Sequence, residues 1–214
     1  MPDSRGGPSP EETERTRKRY DRSASTYDLL WAPGERLFIR RMRRDLWRRA
    51  PAGRVLEVGV GTGENIRFYP PGAEVTAVDI SNDMMARAKR RPVPDGASVE
   101  FRHGDVQSLD IENDAFDAAV ATFVFCSVPD PGAGLRELRR VVRPGGRVLM
   151  LEHVRVDLPG IGALMDIADP ISARLTGSHI NRQTGETVRR AGFASVSVES
   201  RGPLGIVRLI DATV

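Results

Sequence analysis

The chain has 214 residues, 40% of them hydrophobic, with 32 Lys+Arg against 29 Asp+Glu for a net charge of +3, which suits one α/β domain with a single core. No apolar run approaches the roughly 18 residues of a transmembrane helix, residues 1–14 are polar rather than signal-like, and a lone Cys126 excludes an internal disulfide. His103, His153 and His179 lack ligand spacing, so no metal is expected, and the composition points to a cytoplasmic protein.

Residues 1–12, with Pro2, Pro8, Pro10, Gly6 and Gly7 among few apolar groups, read as a disordered tail. Residues 13–50 read as a helical cap. Helical character starts near residue 11 and runs to about 20, followed by Tyr20-Asp21-Arg22-Ser23-Ala24-Ser25-Thr26-Tyr27-Asp28 with its repeated Tyr-Asp pair. Residues 35–49 form an amphipathic helix with Leu37, Phe38, Met42 and Leu46 on one side, Ile39 and Trp47 at its margins, and seven arginines elsewhere. Two readings of it stay open: contact with an anionic membrane surface, or an ordinary surface helix packed on the domain. Residues 1–50 carry 13 Lys+Arg against 8 Asp+Glu, or +5, and the rest 19 against 21, or −2. Because 30 of the 32 cations are Arg, codon usage explains the excess better than a nucleic-acid partner, and none is expected.

The main domain, 51–214, opens on Val55-Leu56-Glu57-Val58-Gly59-Val60-Gly61-Thr62-Gly63, an apolar strand turning into alternating glycines. Lacking Cβ, these glycines let backbone N–H groups press close to a ligand at a helix N-terminus. A dinucleotide fingerprint G-x-G-x-x-G fails here, since its third glycine falls on Glu64, which disfavours a nicotinamide enzyme. Residues 74–80 form a second strand ending at Asp79, 20 residues after Gly59, where a carboxylate reaches both hydroxyls of a ribose. Ser81 caps a helix to about residue 91. A third strand, 98–102, leads to His103-Gly104-Asp105-Val106, and a fourth runs 116–126. A helix over 134–142 stops at Pro144-Gly145-Gly146, where the fifth strand starts. Residues 159–176 suggest two short helices split at Asp169-Pro170, part of an insertion over about 158–182 roofing a greasy pocket. Thr184 caps a helix through 190, and 194–200 and 204–211 make two final strands.

In order, Glu57 with Gly59, Gly61 and Gly63, then Asp79, Asp105, the fourth strand and Arg143-Pro144-Gly145-Gly146 resemble the motifs of the class I S-adenosylmethionine (SAM) dependent methyltransferases. Over about residues 20–211, that resemblance implies an α/β fold: a Rossmann-like, doubly wound, seven-stranded, mostly parallel sheet with an antiparallel C-terminal hairpin, plus the N-terminal helical cap. It implies SAM as cofactor, with Glu57 near its methionine end, Asp79 on the ribose, Asp105 on the adenine amino group, and the end of the fourth strand facing the transferred methyl. Further cofactor contacts are implied at Gly59, Gly61, Gly63, Ile80, Met84, Val106, Thr122 and Phe123. The Tyr-Asp stretch resembles the cap of small-molecule, quinone and phospholipid methyltransferases, which makes Tyr20 and Tyr27 lid candidates; simple helix packing is the alternative.

Phe125-Cys126-Ser127-Val128, Glu152-His153-Val154 and Asn181-Arg182-Gln183-Thr184 look like the membrane-associated alkyl-thiol methyltransferases, whereas Val128-Pro129-Asp130-Pro131 and the N-terminal tyrosines are similar to bacterial phosphatidylethanolamine N-methyltransferases. Methylation of a small apolar acceptor at a thiol sulfur or an amine nitrogen is therefore expected. A lipid acceptor, phosphatidylethanolamine, is the alternative, and a noncatalytic SAM-binding protein is the alternative of another class. The sequence departs from the first group in the hydrophobic N-terminal anchor, which argues against constitutive membrane residence; a cytoplasmic location is expected, and peripheral contact at the inner membrane surface through 35–49 stays open as one of the two readings of that helix. His153 is the candidate base, since imidazole titrates near neutrality and the residue leaves a strand at the ligand edge; a rim histidine is the alternative. Tyr27 is the second catalytic candidate. Cys126 reads as a small core residue, and Glu152 as a pocket wall or salt-bridge partner.

Overall fold

Strands rich in Val, Leu and Ala build one seven-stranded sheet: β1 (Gly53–Val58), β2 (Ala73–Asp79), β3 (Ser98–His103), β4 (Phe116–Thr122), β5 (Val142–His153), β6 (Ser195–Arg201) and β7 (Val207–Thr213), in the order β3-β2-β1-β4-β5-β7-β6. The computed structural model describes residues 10–34, 39–156, 158, 160–175, 179, 181–182 and 184–214, without the side chains of 26–34, 171, 173–175 and 203. The first five strands pair in parallel, and β7 runs antiparallel to both β5 and β6. This is the expected doubly wound sheet with its antiparallel C-terminal hairpin.

Because side chains alternate across a strand, the sheet has two apolar faces. Leu56, Val58, Ala119, Ala121, Val148 and Met150 face α4 (Pro131–Val141) and α6 (Thr184–Arg190) through Leu135, Leu138 and Val188. Val55, Val75, Val120, Leu149 and Leu151 face the other way, onto α2 (Arg40–Trp47) through Leu46 and Trp47, and onto Ala88 of α3 (Asn82–Ala88). Both Leu46 and Trp47 are fully buried. The side of α2 that the sequence offers to a membrane thus anchors the helix to the sheet, while Leu37 and Phe38 lie outside the described residues.

Several boundaries differ from expectation, each for a local reason. The first helix, α1 (Pro10–Gly34), runs well past residue 20 and takes in the Tyr-Asp stretch; of the tail 1–12, residues 1–9 lie outside the described residues. Strand β4 stops at Thr122 rather than 126, because Phe123 turns with φ 57° and the next two N–H groups go to a side chain. Helix α4 begins earlier, at Pro131, where the Asp130 carboxylate accepts from Ala133 N and proline suits the first turn. Residues 144–146 lie inside β5, at a register shift against β4, instead of preceding it. The expected pair of short helices is one, α5 (Ile161–Leu175), with Pro170 inside it; proline removes a single backbone donor, and the helix continues through it. Leu164 and Ile167 of α5 are 70% and 73% exposed, so they do not roof a pocket.

Candidate active site

Residue Val58 pairs with Val78 on one side and with Ala121 on the other, so the carboxyl ends of β1, β2 and β4 stand in one row. The strand order reverses between β1 and β4, the place where doubly wound sheets open a crevice for ligand. A cleft enclosing about 950 Å³ of space, part of it open solvent, lies there under α1.

The glycine loop supplies its floor. Gly59 and Gly61 have φ of 66° and 55°, a region that side chains resist. A Cβ on Gly59 would lie 2.4 Å from Val124 Cγ2, whereas one on Gly61 would meet only Gly59 O at 4.0 Å and point into the cleft. Gly63 is different: its Cβ would strike Ile66 and Ala88, so this glycine serves packing beneath the cleft and does not line it.

Three acids line the cleft: Glu64, which pairs with Arg67 and Arg91, and Asp79 and Asp105. Asp79, 8% exposed, accepts Gly61 N on Oδ2 at 2.7 Å and Ser81 N on Oδ1 at 2.8 Å. Burial raises its pKa, and these N–H groups oppose the rise. Asp105 accepts the N–H and the side-chain amide of Gln107, and Thr13 of α1 donates to its Oδ2 at 3.5 Å. Ile80, Met84, Val106, Thr122 and Phe123 also line the space, as does Tyr20, whose hydroxyl meets Ser127 Oγ at 2.6 Å. Tyr27 lies on the part of α1 whose side chains are outside the described residues.

Glu57 is elsewhere. It is fully buried under the loop, taking Asn65 Nδ2 on Oε1 at 2.6 Å and the Tyr69 hydroxyl on Oε2. Desolvation lifts its pKa to about 6 against these two donors. It reaches the cleft through Asn65, which also donates to Thr122 Oγ1 at 2.9 Å. Likewise His153 does not line the cleft; it stacks behind Phe123 with ring centroids 4.3 Å apart. Burial, then the Arg43 charge, pushes its pKa down to about 4, so it is neutral at pH 7.

Several lining residues escaped sequence reasoning, Arg43, Gln107 and Val124 among them. Arg43 donates to Asn65 Oδ1 at 3.0 Å and lies 5.4 Å over the Phe123 ring, bringing a cation to the cleft. Among the arginines of α2 only helical phase marks it, three and four residues before the buried Leu46 and Trp47. Gln107, two residues past Asp105, joins that acid to α1, and Val124 packs on Gly59.

Residues 56–150 match the family described as "Methyltransferase domain". The chain is 32% identical over 183 residues to the ubiquinone/menaquinone biosynthesis C-methyltransferase UbiE of Bradyrhizobium diazoefficiens, covering 72% of this chain and 71% of that one. The chain belongs to the SAM-dependent methyltransferases. It is also 38% identical over 117 residues to a phosphatidylethanolamine N-methyltransferase of Cereibacter sphaeroides, covering 54% of this chain and 58% of the relative. With thiol S-methyltransferase TMT1B of Rattus norvegicus the identity is 31% over 156 residues, covering 70% and 63%. The chain thus spans about three-fifths of the length of these two relatives. A SAM-dependent methyltransferase of Thermotoga maritima shares the fold, with a TM-score of 0.70 at 21% identity, covering 92% of this chain and 98% of that one.

The site suits the family's cofactor. A Cβ on Gly61 would point into the cleft with only Gly59 O near it at 4.0 Å, and the Asp79 and Asp105 carboxylates give the lining acceptors that suit a hydroxyl- and amino-bearing nucleoside.

Proposed function

We propose that this methyltransferase domain binds SAM in the cleft under α1 and methylates a small apolar acceptor at sulfur or nitrogen. The observation that carries this reading is the mixed lining of the cleft. Its lining joins polar groups, among them Asp79, Asp105 and the Gly59–Gly61 backbone, to the apolar loop residues Phe123, Val124, Val128 and Pro129. SAM supplies a methyl already activated on a sulfonium, so the chain's task is placement of the acceptor. Asp79 holds the ribose, Asp105 the adenine amino group, and the Arg43 guanidinium faces the carboxylate end. A thiol or amine reacts once desolvated and deprotonated, without a strong base. His153, neutral and stacked, supports Phe123 from behind.

A second reading, methylation of phosphatidylethanolamine, has its own support. Arg40, Arg41 and Arg44 of α2 are exposed, and α5 exposes Leu164 and Ile167, the pairing of cations and apolar groups that peripheral contact with an anionic bilayer uses. No helix among the described residues is long and apolar enough to cross a membrane.

Purified protein incubated with SAM and a panel of small thiols, amines, phenols and phosphatidylethanolamine vesicles tests both, with S-adenosylhomocysteine followed by mass spectrometry. Release with thiols or amines, lost in Asp79→Ala, supports the first reading, and release with vesicles alone supports the second. SAM binding without release on any acceptor supports a noncatalytic binding protein.

A further inference from the structure

Glu152, next to the end of β5, is fully buried yet outside the cleft. Its Oε1 accepts two successive backbone N–H groups, Val124 at 3.0 Å and Phe125 at 3.1 Å. Its Oε2 is buried with no hydrogen-bond partner among the described residues. The opposite side of the same loop is held by a cation: Arg182 Nη1 donates to Phe125 O at 2.6 Å and to Val128 O at 2.8 Å. His179 N adds a bond to Cys126 O at 2.9 Å. An anion therefore grips the N–H side of residues 124–128 and a cation their carbonyl side.

That loop is the wall of the cleft. It starts at Phe123, whose positive φ of 57° is unfavourable for an aromatic residue and persists only where surrounding groups over-determine it. Val124 seats against Gly59, and Phe123, Val124, Ser127 and Val128 all line the cleft. We propose that Glu152 and Arg182 are positioning residues for methyl transfer: while Glu152 is ionised the pair holds the peptide groups of the wall in their cleft-forming arrangement, and neutralising Glu152 releases them.

The surroundings of Glu152 give the sign of its response to pH. Arg182 and the N–H groups of Phe125, Val124 and Cys126 favour the carboxylate, but burial outweighs them and raises its pKa to about 7. Across the strand pair, Arg208 stands opposite and turns its guanidinium to Gly205 O. Cys126, Asp169 of α5 and Asp130 at the start of α4 act on Arg182, and the neighbouring His153 is turned to Phe123. Acidification through neutrality therefore neutralises Glu152 and loosens the wall.

The inference rests on the cleft being the SAM site, and two measurements keep them apart. Isothermal titration of SAM into the wild type at pH 8 tests the site itself. Between pH 8 and pH 6 the wild-type affinity is expected to fall about 10-fold, one decade per unit below the pKa. Glu152→Gln, an isosteric neutral mimic, is expected to bind weakly at both pH values, and Arg182→Gln, by removing the cation, to move the midpoint to higher pH. Retention of wild-type affinity at pH 8 and of the wild-type pH profile in Glu152→Gln, or an unmoved midpoint in Arg182→Gln, overturns the proposal. Hydrogen exchange of the Val124 and Phe125 amides reads the clamp without ligand: exchange about 10-fold faster in Glu152→Gln at pH 8 is expected for loss of one such bond, and unchanged protection overturns it even if SAM fails to bind.

Discussion

Gly61 donates its backbone N–H to Oδ2 of Asp79 at 2.7 Å, which ties the glycine loop after β1 to the acid at the end of β2. Ser81 N holds the other oxygen at 2.8 Å, so the carboxylate is fixed in orientation before any ligand arrives. Preorganisation of this kind makes the charge count. Asp79→Asn, which keeps the shape but turns an amide NH2 towards one of these two N–H donors, is expected to weaken SAM binding about 30- to 100-fold, the size of a charge-assisted hydrogen bond, and to lower the melting temperature through the donor left unpaired. Calorimetric titration beside a thermal melt checks it; unaltered affinity would remove Asp79 from the site.

The two cleft glycines are expected to respond differently to the same change. Gly61→Ala places a methyl in open cleft space, so the strain of a positive φ costs about 1 kcal/mol of stability, while SAM binding falls steeply. Gly59→Ala drives its methyl into Val124 at 2.4 Å and must shift the wall, so it loses stability beyond that amount. Urea unfolding separates the two, and equal stability losses would contradict the contact geometry.

The glycine loop, Asp79, Asp105 and the succession of strands along the chain were legible because their signals are local: β-branched runs, glycine spacing, and an acid at a strand tip. What escaped depends on partners far along the chain. Strand β4 ends at Thr122 because Glu152, from the end of β5, takes the N–H groups of Val124 and Phe125. Glu57 matches a ligand-facing motif in sequence, but Asn65 and Tyr69 bury it. Asp169-Pro170 reads as a break, yet α5 passes through it. Arg43 is one arginine of several until the packing of α2 selects its face.

Glu57 also makes a pH prediction. Its folded-state pKa is about 6, above the ordinary 4.5, so folding favours the protonated form. That contribution is full below pH 4.5 and is lost as pH rises through 6, about 2 kcal/mol in all. His153 runs the other way: held to about 4, its neutral form stabilises above pH 6.5 and is lost as pH falls through 4. The readout is therefore the difference between wild type and Glu57→Gln in urea unfolding at pH 4.5 and 7. The wild type is expected to lose about 2 kcal/mol more than the variant over this interval, and parallel curves would mean that Glu57 is not desolvated as described.

Helix α1 covers the cleft with polar contacts rather than a core. Among its described side chains only Ala24 is buried, while Tyr20 meets Ser127 Oγ at 2.6 Å, Ser81 Oγ donates to Asp21 at 2.6 Å, and Gln107 donates to Thr13 at 3.2 Å. A cover held by a few hydrogen bonds, each worth about 1 kcal/mol, opens far more readily than the sheet unfolds, as exchange of a cofactor requires. Tyr20→Phe removes one bond and keeps the ring, so SAM is expected to dissociate about 5-fold faster, 1 kcal/mol being a factor of about 5, with the association rate nearly unchanged. Stopped-flow displacement measures both rates. A slower association with unchanged dissociation would show instead that α1 shapes entry to the cleft and does not close over it.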